Sequence, residues 1–337
     1  MSKTVQLEDH GIVDNRSSPY CKLRSVDLGS VKWTRGFWAT RFEQCKDVTI
    51  PHLWKRLSDP NMGHALTNLR IAAGLEKGEF EGTYWQDEWV YKWLEAVAYV
   101  YSYTHDEKLD KWMDEVIEII AKAQEEDGYI ATQILRVKER FLNPRHHELY
   151  VMGHLITAAC VHHRITGKPN FLDVAKKAAD YLYKTFMPRD PRLAHVQNNP
   201  SQIMALVELY RVAKDERYLR LANVFIDMFG SAPGGTDLRQ DRVPLRKEEH
   251  VVGHAVFFTY LFASAADAYM ETGDVTLLRA LERLWNDLTQ RKMYVTGGVC
   301  AVHRGLSIRG DEVHEAAGYD YDLSLIHISE PTRQAEI

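Results

Sequence analysis

Four short polar breaks, each joining two helical runs, confine this chain to a stack of helical hairpins. They are Thr104-His105-Asp106-Glu107-Lys108-Leu109, Thr166-Gly167-Lys168-Pro169-Asn170-Phe171-Leu172, Ala213-Lys214-Asp215-Glu216-Arg217-Tyr218-Leu219 and Thr272-Gly273-Asp274-Val275-Thr276-Leu277-Leu278. Each has a glycine or polar break, then charged or small residues, then an apolar residue that opens a second helix. The runs they join carry apolar residues at helical spacing, as in Val90, Trp93, Leu94, Val97 and Ala98. Connections this short force antiparallel neighbours. The breaks recur every 47 to 62 residues. A repeated hairpin that cannot bury its own face must stack on the next one. An open solenoid and a closed toroid both do this. The irregular period and the long stretch from Gly230 to Glu248 favour the toroid.

Residues 1–35 differ and read as an extended N-terminal arm, with β-like fragments at Val26–Leu28 and Val31–Trp33. Pro51 is expected to break or restart a helix. The net charge of −5 offers no basic field for nucleic acid or an anionic membrane, and no apolar run is long enough to span a bilayer. The first ten residues lack the apolar stretch of a secretory signal. Cys21, Cys45, Cys160 and Cys300 form no closely spaced pair, which fits reduced thiols. The expectation is a soluble, cytoplasmic protein.

In a toroid the first helix of each hairpin would form the inner ring, and its starts would share one mouth. Those starts read Gln86-Asp87-Glu88, Arg145-His146-His147-Glu148, Asn198-Asn199-Pro200-Ser201-Gln202 and Glu248-Glu249-His250 with His254 a turn later. Carboxylates, imidazoles and amides converging there would suit a ligand rich in hydroxyls. The plainer reading is that Asp87 and Asn199 are N-caps and that glutamates complement the helix dipole. His147 and His254 resist it, because a neutral imidazole is a poor cap. Of the aromatic run Tyr84, Trp85, Trp89, Tyr91 and Trp93, most members should be core and one or two could stack on a sugar.

An ordered set of segments resembles glycoside hydrolase family 127, the β-L-arabinofuranosidase family. It runs through Gly36-Phe37-Trp38, Thr49-Ile50-Pro51, Asn68 to Gly74, Tyr91 to Ala96, the Q-E-E-D-G-Y of Gln124 to Tyr129, His147-Glu148-Leu149-Tyr150 and Gly153-His154-Leu155. It continues with Ala205 to Arg211, Gly253-His254-Ala255-Val256, Tyr294 to Gly298 and His314 to Leu323. The resemblance implies an all-α (α/α)6 toroid-type barrel over residues 36–323, and a carbohydrate substrate. It implies that Glu315, in H-E-A-x-G-Y-D-Y-D-L, is the general acid/base that protonates a poor leaving-group oxygen. It places His147 and His254 at sugar-contacting positions. Asn199 stands where the family has a third such histidine, and Asp87 joins the substrate-binding set from its helix start. Arabinofuranose is therefore the default sugar, with the subgroup open. A homodimer is left open for the full-length protein.

The family's nucleophile is a cysteine thiolate held on zinc by one glutamate and three cysteines, and binding to zinc deprotonates it outright. Those ligands follow the D-Y-D-L segment. Here Leu323 to Arg333 reads L-S-L-I-H-I-S-E-P-T-R, the translation of a transposase sequencing adapter, so residues 324–337 read as a non-native tail. The expectation is an incomplete barrel that keeps the acid/base and the histidines, lacks the nucleophile, binds no zinc and is inactive. Two other readings stay open: another sugar enzyme of this fold class, such as an unsaturated uronyl hydrolase or an epimerase, and a non-catalytic helical scaffold.

Overall fold

A computed structural model describes residues 13–28, 30–294 and 297–299. Helix α1 (Phe37–Gln44) runs through a π turn at Cys45–Thr49 into α2 (Ile50–Ser58), and α3 (Ala65–Ala72) follows. Pro51 sits in the first turn of α2, directly after the π turn, so its missing N–H falls where the helical hydrogen-bond register changes. Then come α4 (Asp87–Thr104) with α5 (Glu107–Ala123), the short α6 (Ile134–Val137), and α7 (Glu148–Thr166) with α8 (Asn170–Phe186). Helices α9 (Ser201–Ala213) with α10 (Glu216–Met228) and α11 (Ala255–Thr272) with α12 (Val275–Arg291) complete the series. No β-strand occurs among the described residues.

All four breaks are hairpin turns, and three share one chemistry. His105, Lys214 and Gly273 take left-handed backbone angles that stop the first helix. The aspartate that follows caps the second helix: Asp106, Asp215 and Asp274 accept the N–H of Lys108, Arg217 and Thr276. Gly167 supplies the positive φ in the fourth.

First and second helices bury differently. In α11 every residue from Phe257 to Ala266 is buried, so protein surrounds it. In α12 only Leu277, Ala280, Leu284, Asp287 and Leu288 are buried, a stripe at spacings of three and four. This is the difference expected between inner and outer helices.

The chain divides into two compact units that do not follow the order of the hairpins. Among described residues, the first comprises Ser25–Arg140 and His154–Leu182, the second Asn15–Arg24, Phe141–Gly153 and the residues from Tyr183 on. In the first unit Trp54 stacks on Trp93 at 4.8 Å and on Trp112 at 5.7 Å, and Trp93 Nε1 donates to the Ile50 carbonyl at 3.2 Å. The Gln124–Tyr129 segment docks on α8: Gln124 donates to the Val174 carbonyl, and a Cβ on Gly128 would lie 2.4 Å from the Lys177 oxygen. The expected fragments Val26–Leu28 and Val31–Trp33 are not strands. They have no partner strand, and Trp33 packs on Phe42 and Tyr103 instead.

In the second unit α9 packs against both α10 and α11. Segment Asn15–Arg24 lies on the C-terminal end of α11, where Tyr20 N donates to the Met270 carbonyl at 3.1 Å. Arg211 of α9 is buried among Glu208, Asp267 and Glu271.

Candidate functional site

His147 is shaped by the N-P-R-H-H-E sequence around it. Asn143 caps a single 3-10 turn, Pro144–His146, and His147 then takes φ 56° and ψ 24° before α7 begins. A left-handed histidine is uncommon, and such outliers concentrate where a side chain must be aimed. Glu148 fixes the entry to α7 by accepting the Phe141 N–H at 2.8 Å. The amide nitrogen of Asn198 donates to the Pro144 carbonyl at 3.1 Å and lies 3.2 Å from His147 Nε2 and 3.4 Å from Nδ1. The ring meets Tyr150 edge-on at 5.8 Å, and Tyr150 meets Tyr260 of α11 at 6.1 Å.

The start of α9 lies against the same segment. Asn199 is also left-handed (φ 46°), a conformation asparagine tolerates well. Its contribution to the helix start is its carbonyl, which accepts the Ser201 N–H at 2.7 Å. The cap position belongs to Pro200, so the N-cap reading of Asn199 does not hold. Ser201 Oγ donates to the Tyr150 carbonyl at 2.9 Å, across a close approach that Gly153 permits.

His254 occupies the N-cap of α11 but makes no side-chain cap bond, so its imidazole is not spent on the helix. Its position is set by the preceding loop. Gly253 (φ 85°) presses on the carbonyls of Asp237 and Leu238, where a Cβ would lie 2.1 and 2.6 Å away, and His254 N donates to the Leu238 oxygen at 3.1 Å. The nearby Glu248-Glu249-His250 segment is used locally, with Glu248 accepting the N–H of Glu249 and of His250.

Burial pushes the basicity of His147 down to about 4, and the neighbouring His254 and then His146 push it the same way. His254 has an exposed ring, yet the protein packed around it lowers its basicity by desolvation. His254 thus lies close enough to His147 to disfavour its charge. A neutral imidazole both donates and accepts, which is what a hydroxyl-bearing ligand requires.

Asp87 belongs to the first unit and is buried. It is the first residue of α4, with Gln86 at the cap position, so it is not an N-cap. Its two oxygens accept the Thr132 N–H at 2.7 Å and the Thr132 hydroxyl at 2.6 Å, which ties the loop before α6 to α4. Burial raises its carboxyl to about 6 despite those two hydrogen bonds. Asp87→Ala should destabilise the chain by about 1–3 kcal/mol, because a buried donor is left without an acceptor. The folded carboxyl holds its proton more tightly than the unfolded one, so this group's contribution falls as pH rises from about 4 through about 6. Urea unfolding of the native chain and the variant at pH 4, 5 and 7 checks both statements.

Of the aromatic run, Tyr91 and Trp93 are core, Tyr84 stacks on Phe80, and Trp85 and Trp89 are exposed. Asn198 was not singled out from sequence; the only local signal was the Asn-Asn doublet before Pro200. Glu315 and Cys300 lie outside the described residues. Among the described residues no three histidines, cysteines or carboxylates converge to hold a metal ion, and Cys21, Cys45 and Cys160 are separate thiols. Among the described residues that donor set does not fit zinc.

Comparison with known proteins follows the same lines. The description "Beta-L-arabinofuranosidase, GH127 catalytic domain" matches residues 30–330. The non-reducing end β-L-arabinofuranosidase of Bifidobacterium longum subsp. longum is 33% identical over 87% of this chain and 50% of its own length. The crystal structure of a GH127 β-L-arabinofuranosidase from Geobacillus stearothermophilus T6 aligns with TM-score 0.75 and 35% identity, over 83% of this chain and 48% of that one. A D-mannose isomerase structure shares the fold alone, with TM-score 0.50 and 14% identity over 75% of this chain and 72% of that one. The chain spans about half the length of the curated relative it matches. Its fold class is all-α, of the (α/α)6 toroid type.

Proposed function

The chain belongs to the GH127 β-L-arabinofuranosidase catalytic-domain family, and on that premise we propose that it is the sugar-binding part of a glycoside hydrolase acting on terminal arabinofuranose-type sugars. The observation that carries this reading is the pair His147 and His254. Burial, with repulsion from His254, keeps His147 uncharged until pH falls to about 4; burial lowers the basicity of His254 as well, and the His254 side chain makes no cap bond. Asn198 orients the His147 ring. Asn199, where the family resemblance expects a third imidazole, supplies an amide that can accept and donate to ring hydroxyls. Asp87 holds the loop at Thr132 through both of its carboxyl oxygens.

Glu315 is proposed as the general acid/base on the strength of its segment. A glycosidic oxygen leaves only as it is protonated, and a carboxylic acid beside it supplies that proton. In a full-length homologue, replacing the matching glutamate by glutamine should cut turnover at least a hundredfold. Near wild-type rates would sink the role.

Binding is tested on the chain itself. Titration with methyl β-L-arabinofuranoside should show saturable binding. His147→Ala and His254→Ala should each weaken it by about tenfold or more, the loss expected when a hydroxyl's buried partner is removed. Affinity should also fall as pH drops through about 4, where His147 takes up its proton. Binding untouched by either substitution would overturn the site.

A further inference from the structure

We propose that His195 and Asp241 form a positioning pair that holds His254 at the sugar site; the proposal rests on the reading of His254 given above. His195 lies in the connection between α8 and α9, and Asp241 in the long loop between α10 and α11. His195 Nδ1 meets Asp241 Oδ2 at 2.8 Å, and its Nε2 meets the Pro233 carbonyl at 2.9 Å. The two ring nitrogens of His195 are thus engaged by two points eight residues apart in the chain. The carboxylate is almost wholly buried and also accepts the Thr236 N–H at 2.6 Å, with Arg239 Nε 3.3 Å away. One histidine therefore closes both ends of the segment Pro233 to Asp241.

That segment is the seat of His254. Leu238 accepts its N–H, Asp237 and Leu238 form the surface on which Gly253 rests, and Gln240 donates to the His250 carbonyl at 3.2 Å. The pair acts through the backbone of Thr236–Gln240 and does not touch sugar. Its removal should leave the helices intact and release the direction of one imidazole.

The test uses the 337-residue chain and two variants, His195→Ala and Asp241→Asn, the second guarding against a first that fails to fold. Amide hydrogen exchange at His254 should speed up at least tenfold in either variant, with no change at Val207 within α9. Affinity for methyl β-L-arabinofuranoside should weaken at least tenfold. Unchanged exchange at His254 would overturn the proposal, as would exchange that rises equally at His254 and Val207, since that pattern marks general destabilisation. If the unaltered chain binds no arabinofuranoside, the sugar reading fails, while the exchange measurement still decides whether the pair holds His254. If the unaltered chain binds and both variants bind equally well, the positioning role fails alone.

Discussion

Arg211→Met is expected to destabilise the chain by about 3–5 kcal/mol, the cost of leaving buried carboxylates without their cation. The guanidinium is almost fully enclosed. Its Nε donates to Glu271 at 2.6 Å and its Nη1 to Glu208 at 2.8 Å and Asp267 at 3.1 Å, while the Ser18 hydroxyl donates to Glu271 as well. Arg211 faces the three acids Glu208, Asp267 and Glu271. Burial, with repulsion from Glu208 and Glu271, raises the Asp267 carboxyl to about 6 even with Arg211 present. Because that folded value lies above the unfolded one, the native chain should lose stability as pH rises from about 4 through about 6. The variant should show the same dependence more steeply, since its carboxylates must bind protons to remain buried. Urea unfolding at pH 7 and pH 5 measures both. A loss below about 1 kcal/mol, or no recovery in acid, would mean that solvent reaches the cluster and screens it.

Gly153→Ala should be destabilising by about 1–3 kcal/mol, against the sign that helix propensity gives. In an exposed helix the same change would stabilise by about 1 kcal/mol. Here an added Cβ would lie 2.3 Å from Ser201 Oγ and 2.4 Å from Gln202 N. The second of these is backbone at the start of α9, which cannot swing aside as a flexible side chain could. Relief requires α9 to move away from α7, which breaks the bond from Ser201 Oγ to the Tyr150 carbonyl and draws Asn198 off His147. Sugar affinity should therefore fall together with stability. A variant as stable as the native chain, or more so, would show that the approach of the two helices is loose.

The hairpin turns were legible because their signals are local: a residue that accepts a left-handed backbone, then an aspartate that caps the next helix within two residues. Pro51 at the start of α2 was legible for the same reason. Val26–Leu28 and Val31–Trp33 were misread because β-propensity forms no strand without a neighbour to pair with. The plainer reading of Asp87 and Asn199 as caps, weighed beside a substrate-binding one, does not hold, because the cap positions fall to Gln86 and Pro200. Asp87 is claimed by Thr132, 45 residues on, and no local pattern announces such a partner. His147 and His254 were singled out because a neutral imidazole is a poor cap, and each stands beside a helix start. Asn198, which orients one of them, became visible only when the start of α9 was folded against the turn before α7.

The sequence by itself determined the hairpins, the positions of their turns and the family, because backbone angles, caps and apolar spacing act within a few residues. Only the tertiary structure decided which polar side chains are spent on the fold. Burial and long-range hydrogen bonds make that division, and they depend on residues far apart in the chain. They make Asp87 a staple and Arg211 the centre of an enclosed charge cluster, and they keep His147 and His254 as neutral imidazoles.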